Sequence, residues 1–339
     1  MPRTDCPKTT ESLWFLKMGY WLASRSQKRI ALPVLRGRTR GVLRLTRRRA
    51  QQPLRALRLS CLVLLGGVLV VATACTNQAR HTNATPERYD DAVVAMHPAL
   101  YLHVAGVTPN ETNLADGSEV AVWRLSGPVH RRKLPNGTNV VDFHPGDVLT
   151  VHSAPTLSIP TTGMLTVVSW IRPDTLQFSQ ETGSGYVYWM GKGANGTQEW
   201  ALRMYSKLNS EDPPRPNRIS GYVFDLEGGK GSGAYVQDPV TVGRWIMVGF
   251  EVDAIPSPGY PQGWVAIWVD GTLRDRASLG QFDVVPRAGP APLRIGTEDL
   301  ESYFEGAIGD VAIFNRDLST HAQEDLYRAM TEDGAAQES

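Results

Sequence analysis

Residues 292–330 read PLRIGTEDLESYFEGAIGDVAIFNRDLSTHAQEDLYRAM, and this stretch decides the fold. Leu293-Arg294-Ile295 is a short apolar strand that stops at Gly296. An acidic, polar loop follows, and Phe304-Glu305-Gly306 opens a second run over 307–314. There Ile308, Asp310 and Ala312 alternate with Gly309, Val311 and Ile313. Both faces are largely apolar, as in a strand buried on both sides. Asn315-Arg316-Asp317 is a turn cluster. Thr320 followed three residues later by Gln323 has the form of a capping box, and Ala322, Leu326, Ala329 and Met330 make the apolar stripe of a short helix.

Working outward, the preceding chain carries more strands and no βαβ rhythm. Residues 165–171 alternate around Trp170, and 186–191, 200–205 and 219–226 follow as further strands. Arg244-Trp245-Ile246-Met247-Val248-Gly249-Phe250 is another. Residues 263–269 meet Asp270-Gly271, a strong hairpin signal. Short strands separated by glycine and proline predict an all-β sandwich of two antiparallel sheets. Trp170, Trp245 and Trp268 sit in these strands and are expected to pack in the core, Trp170 between the sheets.

The closing stretch resembles the laminin G-like (LamG) family of concanavalin A-like jelly rolls. The resemblance is carried by Ile295-Gly296, by Phe304-Glu305-Gly306-Ala307-Ile308-Gly309-Asp310-Val311, by Asn315-Arg316-Asp317-Leu318-Ser319 and by Leu326-Tyr327. Trp170-Ile171-Arg172-Pro173 and Arg244-Trp245 are similar to other strands of the family. Tyr101-Leu102 departs from it, because the family has Tyr-Trp there. The resemblance implies a two-sheet jelly-roll sandwich over residues 89–330, ending in a short C-terminal helix, with 331–339 as a tail.

The chain ahead of this region is of another kind. Residues 1–75 hold 15 Lys and Arg against 2 Asp and Glu, whereas 76–339 hold 20 against 32. An acidic body argues against nucleic acid as a partner. All three cysteines, Cys6, Cys61 and Cys75, lie in the basic part, so the body has no disulfide. Residues 61–74 are apolar to weakly polar; as a helix, fourteen residues span roughly 21 Å, short of a bilayer core. A basic flank, a short apolar run and small residues describe a secretory signal. Ala72-Thr73-Ala74-Cys75 resembles the lipobox of bacterial lipoproteins, although Leu is usual where Ala72 stands. That resemblance implies lipidation of Cys75 and a membrane anchor at the bacterial cell surface. The head is long for a signal, and translation is expected to start near Val42 or Leu45. Residues 76–88 are a polar tether. Beside a lipobox, the sequons at Asn83, Asn110, Asn136 and Asn195 read as chance matches.

No catalytic constellation emerges. The fold also carries glycoside hydrolases, whose strand-borne Glu-x-Asp-x-Glu places carboxylates on one face. The nearest fragment is Glu251-Val252-Asp253, with Ile255 in the third place; Glu298-Asp299-Leu300-Glu301 has another spacing and lies in a loop. His130-Arg131-Arg132-Lys133 reads as a solvated turn. The family resemblance implies one Ca²⁺, with Asp310 at the family aspartate and Asp116, in Asp-Gly-Ser, as its expected partner. Loops 206–218 and 254–262 are proline-rich and longer than the fold needs, and binding surfaces are often built on such loops. The aromatic residues Tyr188, Trp189, Tyr205, Tyr260 and Trp264 border loops and are the candidates for ligand contact. The expected function is a non-catalytic binding module with a glycan as partner. A surface protein as partner of an adhesive domain is one alternative, and a glycoside hydrolase is another.

Overall fold

A computed structural model describes residues 88–194 and 196–337. Cys75, the apolar run before it and the tether as far as residue 87 lie outside the described residues, as does the sequon residue Asn195. Among the described residues no helix is long and apolar enough to cross a membrane. By contact the chain divides into Met1–Thr76 and Asn77–Ser339, and all that follows concerns the second unit.

Along the chain, helix α1 (Tyr89–Ala95) precedes β1 (Leu100–Leu102), β2 (Asn110–Thr112), β3 (Glu119–Arg124), β4 (His130–Lys133), β5 (Asn139–Phe143) and β6 (Val148–Val151). Then come β7 (Met164–Pro173), β8 (Tyr186–Lys192), β9 (Trp200–Tyr205), β10 (Ile219–Val223) and β11 (Ser232–Tyr235). The chain closes with β12 (Ile246–Asp253), β13 (Trp264–Val269), β14 (Thr272–Ser278), β15 (Leu293–Ile295), β16 (Gly306–Phe314) and helix α2 (Thr320–Gln337). The strands form two antiparallel sheets of eight. The first runs β14-β13-β12-β7-β16-β5-β4, with β1 also on β16; the second runs β11-β10-β9-β8-β15-β6-β3-β2.

The two strands of the closing stretch fall in different sheets, β15 in the second and β16 near the centre of the first. Crossing between sheets makes the glycines of the stretch obligatory. Gly296 has φ +94°, and a Cβ there would stand 2.4 Å from the Phe143 ring. Gly306 has φ +141°, with a Cβ 2.2 Å from the Arg172 carbonyl. Only glycine allows both the conformation and the approach. Asp270 and Gly271 take φ of 52° and 73° in the expected hairpin turn.

The main core lies between the sheets and includes Phe143, Trp189, Trp200, Phe250 and Phe304. A second core lies on the outer face of the first sheet, under α1 and α2. Trp170 belongs to this second core. Its ring stacks on Tyr327 of α2 at 5.8 Å and 12°, and meets Tyr89 of α1 edge-on at 6.4 Å. The placement of Trp170 between the sheets is thus corrected: β7 alternates, and Val167 has the inward position while Val168 and Trp170 have the outward one. Trp245 packs partly buried in the helix-covered core. The segment 130–133 is edge strand β4, paired with β5, and its charges suit an edge facing water. Ser319 rather than Thr320 caps α2, its Oγ accepting from the Ala322 N–H at 3.1 Å. The helix continues past Met330 to Gln337, through most of the expected tail.

Candidate functional site

The outer face of the second sheet has no helix over it among the described elements, and its outward positions are mostly aromatic, set around one arginine. In β8 these are Tyr186 and Tyr188, in β9 Arg203, in β10 Tyr222 and in β11 Tyr235, with Phe224 just beyond β10. Register brings them together. Tyr188 pairs directly with Arg203, Arg203 with Ser220, and Ser220 with Tyr235. Residues opposite one another on adjacent strands hold side chains about 5 Å apart.

Arg203 is the centre of this face. Its guanidinium carbon lies 4.3 Å from the Tyr186 ring centre, 4.8 Å from Tyr188, 4.4 Å from Tyr222 and 5.4 Å from Phe224. Nη2 donates to the Tyr188 hydroxyl at 2.6 Å. No Asp or Glu oxygen lies within 4.0 Å of this guanidinium among the described residues, and its buried Nε has no hydrogen-bond partner. Ring faces stabilise a cation without neutralising it. The phenols continue the network, Tyr205 to Tyr222 at 2.8 Å and Tyr222 to Tyr235 at 2.5 Å. Burial raises the pKa values of Tyr188 and Tyr222, so both remain neutral hydrogen-bonding groups.

A cavity of about 400 Å³ opens on this cluster. Arg203, Tyr222, Phe224 and Tyr235 line it from the sheet; Glu211, Asp212 and Arg215 come from loop 206–218; Lys230 and Phe282 complete the rim. Tyr222 and Phe224 stack at 5.6 Å. Arg215 covers the Tyr235 ring at 3.8 Å and pairs with Glu211 at 3.1 Å. Phe282 is 41 % exposed at the mouth, a large apolar side chain in water. The arrangement offers ring faces, charged donors and carboxylate acceptors in one concavity, the combination that holds a polyhydroxylated ligand.

The five aromatic candidates do not share one place. Tyr188 and Tyr205 belong to this face, Tyr205 wholly buried beneath it. Trp189 is turned into the core between the sheets and is fully buried, out of a ligand's reach; this corrects its placement as a contact residue. A register shift between Tyr188 and Met190 puts Trp189 inward. Trp264 lies in the first sheet, buried under the Arg276 guanidinium at 4.0 Å. Tyr260 closes a turn with Ser257, their N–H and carbonyl groups paired at 3.1 and 2.9 Å. Neither lines the cavity, since both stand on loop 254–262 and β13 of the other sheet. Arg203, Tyr222, Phe224 and Tyr235 escaped the sequence reading. The available signal was Arg203 itself, a charged residue in the middle of an otherwise apolar strand.

Glu251 is buried. It accepts from Trp268 Nε1 at 2.9 Å and from the Leu318 N–H at 3.0 Å, tying β12 and β13 to the chain that enters α2. Glu298, in the loop that reads Glu-Asp-Leu-Glu, is fully buried over Gly191. Burial first, and then Asp299, push its pKa up to about 7.

Asp310 is wholly buried in β16. It sits in a bulge, where the register shifts between Gly309 and Ala312, and takes φ +47°. Its oxygens accept no hydrogen bond. Asp116 does not join it: its carboxylate is exposed and closes its own turn, accepting from the Ser118 N–H at 3.0 Å and hydroxyl at 2.6 Å. The groups brought to Asp310 are instead Asp90 of α1 and His103, just after β1.

Comparison with known proteins agrees with this architecture. The laminin G-like sequence pattern described as the concanavalin A-like lectin/glucanases superfamily matches residues 146–322. No curated protein matches the chain. Among solved structures, the ligand-binding domain of botulinum neurotoxin serotype D, in complex with N-acetylneuraminic acid, is 14 % identical with TM-score 0.50. That match covers 70 % of this chain and 52 % of the other, so the chain spans about half its length. Domain 4 of AbnA, a GH43 extracellular arabinanase from Geobacillus stearothermophilus, in complex with arabinotriose, is 13 % identical over 68 % of this chain and 98 % of that one, with TM-score 0.44. At 14 % identity the likeness to the neurotoxin domain is one of fold alone.

Proposed function

Since the chain belongs to the laminin G-like family of the concanavalin A-like lectin/glucanases superfamily, we propose that it is a non-catalytic binding module whose ligand is a glycan, held on the outer face of the second sheet. One observation carries this reading. Arg203 is a cation enclosed by four aromatic rings, with no carboxylate oxygen within 4.0 Å among the described residues, lining a cavity of about 400 Å³. Sugar rings stack their C–H faces on aromatic rings, and their hydroxyls take the polar groups at the edge. A guanidinium that no carboxylate contacts directly, with Arg215 and Lys230 beside it, adds a preference for sugars bearing a carboxylate or sulfate, since such oxygens match its fork of donors. We further propose that lipidated Cys75 displays the module at a bacterial cell surface, a reading that rests on the sequence before residue 76.

A glycan array probed with the full chain tests the binding reading, with neutral and acidic glycans side by side. Binding is expected, strongest to acidic members, and Arg203→Met is expected to weaken it at least about tenfold, the loss of one charge-assisted contact. Absence of binding across the array, or binding indifferent to Arg203→Met, would overturn the site. Tyrosine and arginine also anchor protein interfaces. Capture of a surface protein lost in Arg203→Met, without glycan binding, would replace the ligand class while keeping the face.

A further inference from the structure

Asp90, His103 and Asp310 stand on three different elements, yet each offers one ligand atom within 4.8 Å of the others. His103 Nε2 is 3.2 Å from Asp90 Oδ1 and 3.9 Å from Asp310 Oδ1. The cluster is built rather than incidental. Asp90 Oδ1 is fixed from behind by the Tyr101 hydroxyl at 2.7 Å, the kind of outer contact that orients a metal-binding carboxylate. The Asp310 N–H reaches the His103 carbonyl at 3.4 Å, clasping the bulge to the residue after β1.

Asp310 by itself points to a bound cation. A carboxylate with no exposure and no hydrogen bond to either oxygen is costly to bury. Its backbone is also strained, with φ +47° in a residue other than glycine. A lone imidazole nitrogen 3.9 Å away, already 3.2 Å from Asp90, satisfies neither oxygen. A cation between the three groups would satisfy all of them.

The family resemblance implies Ca²⁺, and the donors disagree. Calcium takes six to eight oxygens and no nitrogen. Here one of three side-chain donors is an imidazole, and the second acid expected for calcium, Asp116, is spent on its own turn. Nitrogen with two carboxylates is the donor set of a borderline divalent ion. Around tetrahedral zinc, donors about 2.0–2.2 Å from the metal stand roughly 3.4 Å from one another. The observed 3.2 and 3.9 Å bracket that spacing. We propose that Asp90, His103 and Asp310 form a zinc-class divalent-metal site that pins α1 and β1 to the bulge of β16. His103 and Asp90 are 27 % and 29 % exposed, so solvent reaches the cluster from their side. The role is structural: the site lies on the first sheet, and the aromatic cavity lies on the second.

The test is thermal unfolding of the full chain after chelator treatment, with Zn²⁺, Ca²⁺ or Mg²⁺ added back, together with metal analysis of the purified protein. Zinc is expected at about one equivalent and to raise Tm by at least about 4 °C, the shift that follows from saturating a site formed only in the folded state. Calcium and magnesium are expected to do little at the same concentration. Asp310→Asn keeps the shape of the side chain and should abolish the zinc response. His103→Gln, at a half-exposed position, should abolish it even if Asp310→Asn fails to fold. Three results would overturn the proposal: no metal response, a zinc response that survives His103→Gln, or a calcium response that does.

Discussion

Glu251 places a carboxylate where water hardly reaches, 1 % exposed, and its environment divides against itself. Burial raises its pKa to about 7, while the donors Trp268 and Leu318 work in the other direction. An unfolded glutamate titrates near 4.3. Between these values the native state keeps a proton that the unfolded state has lost. Stability therefore falls as pH rises from about 4.5 to about 7, and levels above it. Glu251→Gln resembles the protonated acid at every pH and should not show this fall. Urea unfolding at pH 5 and pH 8 should find the variant gaining on the wild type by on the order of 3 kcal/mol across that interval. Equal slopes would mean that Glu251 is ionised in the native protein throughout. From sequence alone Glu251 resembled one third of a hydrolase motif, because residue type and spacing carry no record of which donors surround a side chain.

At the scale of elements, the long connection from β14 to β15 is held by one buried ion pair. Lys192 at the end of β8 and Glu199 just before β9 are 0 % and 2 % exposed and in contact. Lys192 Nζ also donates to the carbonyls of Gly289 at 2.8 Å and Ala291 at 3.0 Å, and Glu199 Oε1 accepts from the Gly289 N–H at 2.7 Å. Lys192→Met would leave Glu199 buried with its charge unanswered, a change that costs about 3–5 kcal/mol. The double variant Lys192→Met/Glu199→Leu should recover most of that loss, because replacing both charges by packing is close to neutral. Denaturant titration of the three proteins decides it; a double variant as unstable as the single one would show that the bonds to 289–291, rather than the unpaired charge, set the cost. Elements of this kind divide what was legible. Periodicity and the two glycines of Ile295-Gly296 and Phe304-Glu305-Gly306 predicted β15, β16 and the sandwich, since alternation and forbidden φ are local properties. Edge strand β4 was hidden by its own charges, because an edge needs no apolar face. The partners of Asp310 were hidden by distance along the chain: Asp90 and His103 come from the far end of the unit, and nothing local to Asp116 reveals that its carboxylate closes a turn.

The unit as a whole has two unlike faces. On the first sheet α1 and α2 cover the outer surface, and the described chain enters there at Tyr89. On the second sheet the outer surface carries the aromatic cavity, a full sandwich thickness away, since packed sheets stand about 10 Å apart. Thirteen residues separate the proposed anchor, Cys75, from Tyr89, at most roughly 50 Å of chain. Anchoring and ligand binding should then be separable. Cys75→Ser is expected to lose labelling by a palmitate analogue and to move the protein out of the membrane fraction, because one apolar run of fourteen residues is too short to hold it as a span. The released protein should bind acidic glycans with the affinity of the anchored form, as none of the cavity residues lies near the anchor in sequence. Labelling that persists in Cys75→Ser would sink the lipoprotein reading. Loss of glycan binding on release would show instead that the membrane, and not the cavity alone, makes the surface that the ligand meets.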